Sequence, residues 1–192
     1  MKIKKKTPLR EVLRLGRACK RCGHCCINGS GFLARHDLKH ISEYLGISQE
    51  ELIKKCLEQV TLFNTARYRP VLVKNNKVKA CVFYDNAIGC TIHDVKPLQC
   101  RVGNCSEHGE DLSVWFKLNF FVNPDDAESI RQWKLYLDSG GKNIPGGGLS
   151  ELVPDPAKLK KFLNYEELGN LRFPVPSRTS SWGCQYIILS ES

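Results

Sequence analysis

Cys19-Lys20-Arg21-Cys22-Gly23-His24-Cys25-Cys26 sets four thiols within eight residues, in the spacing C-x2-C-x2-C-C. Two residues between cysteines let the backbone curl until both sulfurs face one ion, so this step recurs in zinc and iron–sulfur sites. Gly23 suits the tight turn, because glycine reaches positive φ at little cost. The final pair reads differently. Side chains of adjacent residues diverge in most backbone conformations, so Cys25 and Cys26 are expected to part, one of them toward a second ion, a cluster edge or another stretch of chain. A disulfide framework or unrelated buried thiols are the plain alternatives.

Four further cysteines, Cys81, Cys90, Cys100 and Cys105, form a second constellation. Val71-Leu72-Val73, Asn75-Asn76 and the run from Val78 to Phe83 predict a β-hairpin that delivers Cys81 at its far end. Gly89 precedes Cys90. Asp94 is placed to cap one helical turn that contains Pro97 and leads to Cys100, and Arg101-Val102-Gly103-Asn104 carries the chain to Cys105. Four thiols in one eight-residue loop leave at least one pointing away, so the two groups are expected to share a metal region.

The flanking chain reads mostly as helix. Thr7 and Pro8 open a short helix that Gly16 ends, with Leu9, Val12, Leu13 and Leu15 as its apolar stripe. A second helix runs from Asp37 to Leu45 and stops at Gly46. Ser48-Gln49-Glu50-Glu51 has the capping-box form and starts a third, to about Gln59, on whose apolar side Cys56 is read as a small core residue. Leu112 to Val122 is apolar and aromatic and is read as a buried strand, with a helix as the alternative. Asn123 caps a helix through Leu137, and Asp155-Pro156 starts a last one to about Leu168. Between them, residues 140–148 read as a flexible glycine-rich linker. It is no P-loop, since the G-K-[ST] ending is absent. Beyond Gly169, prolines and serines argue against compact order, and Cys184 is read as a non-ligand.

A chain of 192 residues fits one domain with a core. No apolar run of spanning length and no secretory h-region is present, so neither a membrane nor export is indicated. Ten cysteines in such a chain point to a reducing compartment, by default the cytosol. The formal charge of +9 is concentrated early: nine cations stand against Glu11 alone in the first 21 residues. This basic N-terminal stretch could meet nucleic acid or an acidic partner, act as a solvated end, or offset thiolate charge. No aromatic residue interleaves it before Phe32, so no base-stacking platform is written there.

Cys19-Lys20-Arg21-Cys22-Gly23-His24-Cys25-Cys26, Cys81, Cys90-Thr91-Ile92-His93, Lys96-Pro97-Leu98-Gln99-Cys100-Arg101 and Cys105 together resemble the CxxCxxCC family, the YkgJ-like cysteine-cluster proteins, over roughly residues 15–110. The resemblance implies a zinc- or iron-chelating domain. Some relatives are described as flagellin lysine methylases, which keeps methyl transfer in view. The family usually has R-P-x-x-C-R where Lys96 stands here, a change that keeps the charge and loses the bidentate fork. Thiolate-only donors suit zinc and iron–sulfur clusters alike. C-x2-C-x2-C matches the first three ligands of a bacterial ferredoxin cluster, although Cys26 and Ile27 depart from the rest of that run. His24, His93 and His108 could each replace a thiolate, with a place behind the ligands or in solvent as the simpler reading.

The expectation is an α+β single domain: a small sheet, flanking helices and metal-binding cysteine loops. Its parts are an N-terminal arm and short helix (1–18), the cysteine-cluster domain (19–168) and a tail (169–192). One or two iron–sulfur clusters, 4Fe–4S favoured over zinc, would be held by Cys19, Cys22, Cys25, Cys26, Cys81, Cys90, Cys100 and Cys105. The work would be redox or protein-modification chemistry with a protein or redox partner. The competing class is a zinc-stabilised binding module.

Overall fold

Local capping chemistry fixes several helix starts. In the computed structural model Ser48 Oγ accepts the Glu51 N–H at 3.1 Å, and the carboxylates of Asp126 and Asp155 each take two amides of the helix that follows. Each bond satisfies a donor that the first helical turn leaves open. The structure describes residues 2–19, 22–27, 29–75, 78–103 and 105–167. The tail from 169, Cys184, Asn28, Asn76 and Asn104 lie outside them, as do Lys20 and Arg21.

Among the described residues the order is α1 (Leu9–Gly16), α2 (Asp37–Tyr44), α3 (Gln49–Cys56), β1 (Leu57–Leu62), β2 (Thr65–Pro70), β3 (Leu72–Asn75), β4 (Val78–Cys81), β5 (Tyr84–Asp85), β6 (Gly89–Cys90), α4 (Leu98–Val102), α5 (Gly109–Phe120), α6 (Ala127–Asp138), α7 (Leu149–Leu152) and α8 (Pro156–Leu163). The fold class is α+β. Instead of one small sheet there are three two-stranded ones, β1–β2, β3–β4 and β5–β6. The described residues divide into two units: 19–60 with 67–103, and 2–18 with 61–66 and 105–167.

In the first unit α2 packs on α3 and on a 3-10 turn, His93–Val95. Leu33, Ile41, Leu52, Cys56, Leu57, Val71, Val82, Phe83 and Ile92 form its core. Cys56 is fully buried there, as its place on the apolar side of α3 implies. The hairpin β3–β4 has the register Leu72↔Cys81, Val73↔Ala80 and Lys74↔Lys79, so it ends at Cys81 as the sequence predicts.

In the second unit α6 packs on α8, and Trp133 of α6 is completely buried. The Trp133 indole N–H donates to Gly147 O at 2.8 Å, and Ile144 is buried beside the same stretch. The loop 140–148 is therefore a packed part of the core, not a free linker. The N-terminal stretch is held as well. Ile3 is fully buried, Lys5 N–H donates to Pro145 O at 2.8 Å, and the Trp115 indole N–H donates to Thr7 O at 2.9 Å. Lys2, Lys4, Lys6, Arg10, Arg14 and Arg17 stay exposed.

Several boundaries differ from the sequence reading, each for a local reason. Residues 112–122 are not a strand: α5 covers most of them, burying Leu112, Val114, Trp115, Phe116 and Leu118. A segment apolar on nearly every side gives no period to separate helix from strand. The third helix stops at Cys56, and Leu57 begins a strand that returns through Phe63-Asn64. Both turn residues are left-handed, at φ 47 and 56, as the hairpin turns that match strand twist require. Phenylalanine there is costly. Its ring is held edge-on to Trp133 at 5.2 Å, while Asn64 N–H and Nδ2 donate to Gln132 and Asp126. Helix α6 starts at Ala127 on Asp126, and Asn123 instead receives the Asp125 N–H. Thr7 takes the Lys4 N–H and leaves α1 without a side-chain cap. The turn near Asp94 splits into the 3-10 turn and α4, which begins after Pro97. Helix α8 ends at Leu163.

Candidate metal centre

The first cysteine loop turns on Gly23. Its φ is +72, and a Cβ there would lie 2.7 Å from the Tyr84 ring, so both backbone and space call for glycine. Cys26 N–H and Ile27 N–H both donate to Gly23 O, at 2.8 and 3.1 Å. The loop then joins the edge of the β3–β4 hairpin. Ile27 bridges Ala80, and Cys81 N–H donates to Cys26 O at 2.8 Å. Backbone pairing thus stitches the first motif to the strand that carries Cys81.

Each residue of Lys96-Pro97-Leu98-Gln99-Cys100-Arg101 has a task in the same unit. Lys96 Nζ lies 3.3 Å from His93 Nε2. Pro97 precedes the first turn of α4. Leu98 N–H donates to Asp37 Oδ2 at 2.7 Å, and Arg101 pairs with Asp37 Oδ1. Gln99 Oε1 accepts the Phe32 N–H at 2.7 Å. Cys100 Sγ rests against Gly31, where a Cβ would be only 2.2 Å away.

The thiols sense one another. Cys26 S–H donates to the Cys25 sulfur, which lowers the Cys25 pKa to about 6, with Lys96 and His24 adding positive potential. The same bond, then burial, pushes Cys26 up, with Cys25, Cys90 and Cys81 adding like charge. Burial raises Cys81 to about 12 and also raises Cys90 and Cys100. Cys90 feels Cys25 and Cys19; Cys100 feels Cys81, Cys25 and Cys90. Three backbone amides oppose this rise by donating to sulfur: Phe83 to Cys81, Ile92 to Cys90 and Gly31 to Cys100. Such bonds favour the ionised form that binds metal.

Cys19, Cys25, Cys26, Cys81, Cys90 and Cys100 are therefore brought into one electrostatic neighbourhood. Cys22, on the same loop, is exposed, and Cys105 is an exposed residue of the other unit. Among the described residues no three His, Cys, Asp or Glu side chains are arranged to hold a metal ion as they stand. His24 is exposed beside Cys25, His93 faces Lys96, and His108 precedes α5 in the other unit. Cys25 and Cys26 do not diverge. The turn after Gly23 coils the backbone, and neighbouring side chains on such a coil stand about 100° apart, not on opposite faces as in a strand.

Asp37 is the residue that sequence reasoning missed, having been read only as a helix start. Its signal would have been an acid placed to meet Arg101, but 64 residues separate the two.

Sulfur donors in this number, with amides aimed at three of them, fit zinc or an iron–sulfur cluster. The fold and this thiol region define an α+β cysteine-cluster protein. The chain belongs to the CxxCxxCC family, whose model, described as "Putative zinc- or iron-chelating domain", matches residues 18–125. No curated protein and no solved structure matches the chain. No helix among the described residues is long and apolar enough to cross a membrane.

Proposed function

We propose that the unit of residues 19–60 and 67–103 holds an iron–sulfur cluster, of the 4Fe–4S type, and that the protein uses it in redox or protein-modification chemistry. One observation carries this reading: six cysteines share one neighbourhood, more sulfur than one tetrahedral zinc ion takes. The ligands are drawn from Cys19, Cys22, Cys25, Cys26, Cys81, Cys90 and Cys100; Cys105 enters on sequence spacing alone. When bound, such a cluster supplies one-electron transfer at a potential set by its surroundings.

The chain's own residues set those surroundings. The amides of Phe83, Ile92 and Gly31 direct partial positive charge at three sulfurs. Lys96 places a full positive charge near Cys25 and Cys90, offsetting thiolate charge. The Tyr84 ring covers the Gly23 turn.

Purification without oxygen, followed by iron, zinc and acid-labile sulfide analysis, tests the proposal. The expected result is iron and sulfide in near-equal amounts, with a visible absorbance that bleaches on reduction. Stoichiometric zinc without sulfide would refute it and favour the zinc-stabilised module.

A further inference from the structure

Asp37 is 2 % exposed, and a carboxylate taken that far from water persists only when its oxygens are paired. Asp37 Oδ2 accepts the Ala34 N–H and the Leu98 N–H, each at 2.7 Å, and Oδ1 accepts from Arg101 Nη2. The first bond closes the start of α2 on itself. The other two reach α4, a helix of five residues with Cys100 at its centre. Leu98 and Arg101, on either side of Cys100, are thus both fastened to one buried carboxylate. Arg101 Nε is buried without a hydrogen-bond partner among the described residues, so the guanidinium's hold runs through Asp37.

A second contact set acts on the same sulfur. Gln99 grips Phe32 through the Phe32 N–H to Oε1 bond at 2.7 Å and a Gln99 N–H to Phe32 O bond at 3.4 Å. This grip places Gly31 against Cys100 Sγ, so closely that a methyl group would overlap it at 2.2 Å. A clamp serving only the core would have no need of a sulfur seated on bare backbone.

We propose that Asp37 is a positioning residue of the metal centre: by fastening α4 on both sides of Cys100, it seats that sulfur on Gly31 before any metal binds. The proposal rests on the reading of Cys100 as a ligand, and its test separates the two. In full-length, metal-free protein, N-ethylmaleimide labelling is followed at each cysteine by peptide mass spectrometry. Asp37→Asn, nearly the same shape, and Gly31→Ala, which intrudes on the sulfur without touching Asp37, are compared with the parent. Both are expected to label Cys100 about tenfold faster while Cys81 and Cys90 stay within about twofold, because only local opening around α4 is eased. Arg101→Lys, which keeps the charge on Asp37, is expected to restore most of the protection that Arg101→Ala loses.

After reconstitution with iron and sulfide, Asp37→Asn should show the same altered visible spectrum as Cys100→Ala. A uniform rise at all cysteines in Asp37→Asn would make Asp37 an ordinary core clamp and overturn the proposal, as would unchanged Cys100 labelling. If Asp37→Asn does not fold, Gly31→Ala and the Arg101 pair decide by the same criterion. Full metal content and a parent spectrum in Cys100→Ala would defeat the ligand reading alone, leaving the labelling pattern to judge the clamp.

Discussion

Removing the Cys26 thiol should steepen the pH dependence of Cys25 chemistry. In the metal-free protein Cys26 donates to the Cys25 sulfur, and this bond is the largest cause of the drop in the Cys25 pKa from 9.0 to about 6. In Cys26→Ala the donor is gone and Cys25 moves back toward its ordinary value. Two effects then compete. At pH 5.5 a group of pKa 6 is about 24 % thiolate and one of pKa 9 about 0.03 %, a ratio of about 760. The weaker base is also the weaker nucleophile, by about 20-fold over three pKa units at a Brønsted slope near 0.45. Full recovery of the pKa therefore makes the variant about 30-fold slower at pH 5.5. At pH 8 the thiolate ratio shrinks to about 11, nucleophilicity prevails, and the variant becomes about twofold faster. The assay is the reaction of a small neutral disulfide with Cys25 at both pH values, resolved by peptide mass. Retaining Cys26 as Ser keeps a hydroxyl donor and should give an intermediate profile. A parent-to-variant ratio that stays constant between pH 5.5 and 8 would refute the shared-proton pair.

The raised groups give a prediction of opposite sign. Cys81, pushed up to about 12 by burial, and Cys100, pushed up by the same cause, keep protons in the fold that the unfolded chain releases above pH 9. Reduced, metal-free protein should hold its stability below pH 9 and lose it as pH rises toward 12, read as a lower urea midpoint at pH 10 than at pH 8. Removing bound metal should speed hydrogen exchange in the unit of residues 19–60 and 67–103, while α5 and α6 keep their protection; loss confined to residues 19–26 would contradict a shared region. The proposed polyanion contact is tested at the exposed cations of α1 and at Arg17, which follows it. Replacing Arg10, Arg14 and Arg17 by Gln should weaken binding to duplex DNA and flatten its salt slope by up to about three, with metal content unchanged, whereas no binding by the parent at about 50 mM salt would dismiss the contact.

What the sequence made legible was whatever local chemistry decides. Ser48 and Asp155 cap the helices they announce, and the hairpin ends at Cys81, because each depends on neighbours a few residues away. What it hid was decided at a distance. The Phe63-Asn64 turn lacks the usual Asn-Gly signal and stands on Trp133, Gln132 and Asp126, more than 60 residues on. The strand reading of residues 112–122 failed because Leu112, Val114, Trp115, Phe116 and Leu118 face burial on several sides, and a period is hard to read from a segment that is apolar nearly all round.

The metal region shows the same division inside a single motif. The C-x2-C-x2-C-C spacing states that sulfur is concentrated, but it leaves open where that sulfur points, and the expectation for Cys25 and Cys26 failed on that question. The plainer stretch from Lys96 to Arg101 contains one cysteine, yet its neighbours fix that cysteine's place: Leu98 and Arg101 on Asp37, Gln99 on Phe32, the sulfur on Gly31. A thiol held this way has given up its rotational freedom during folding, so binding a metal need not order it again. Cys22 and Cys25, by contrast, are exposed. On the proposed reading the two halves would divide the work, one offering a fixed sulfur and the other more exposed ones, and no three donors among the described residues need stand in ligand geometry beforehand. Binding would then order the loop, as metal does in small domains whose folding is coupled to their ion.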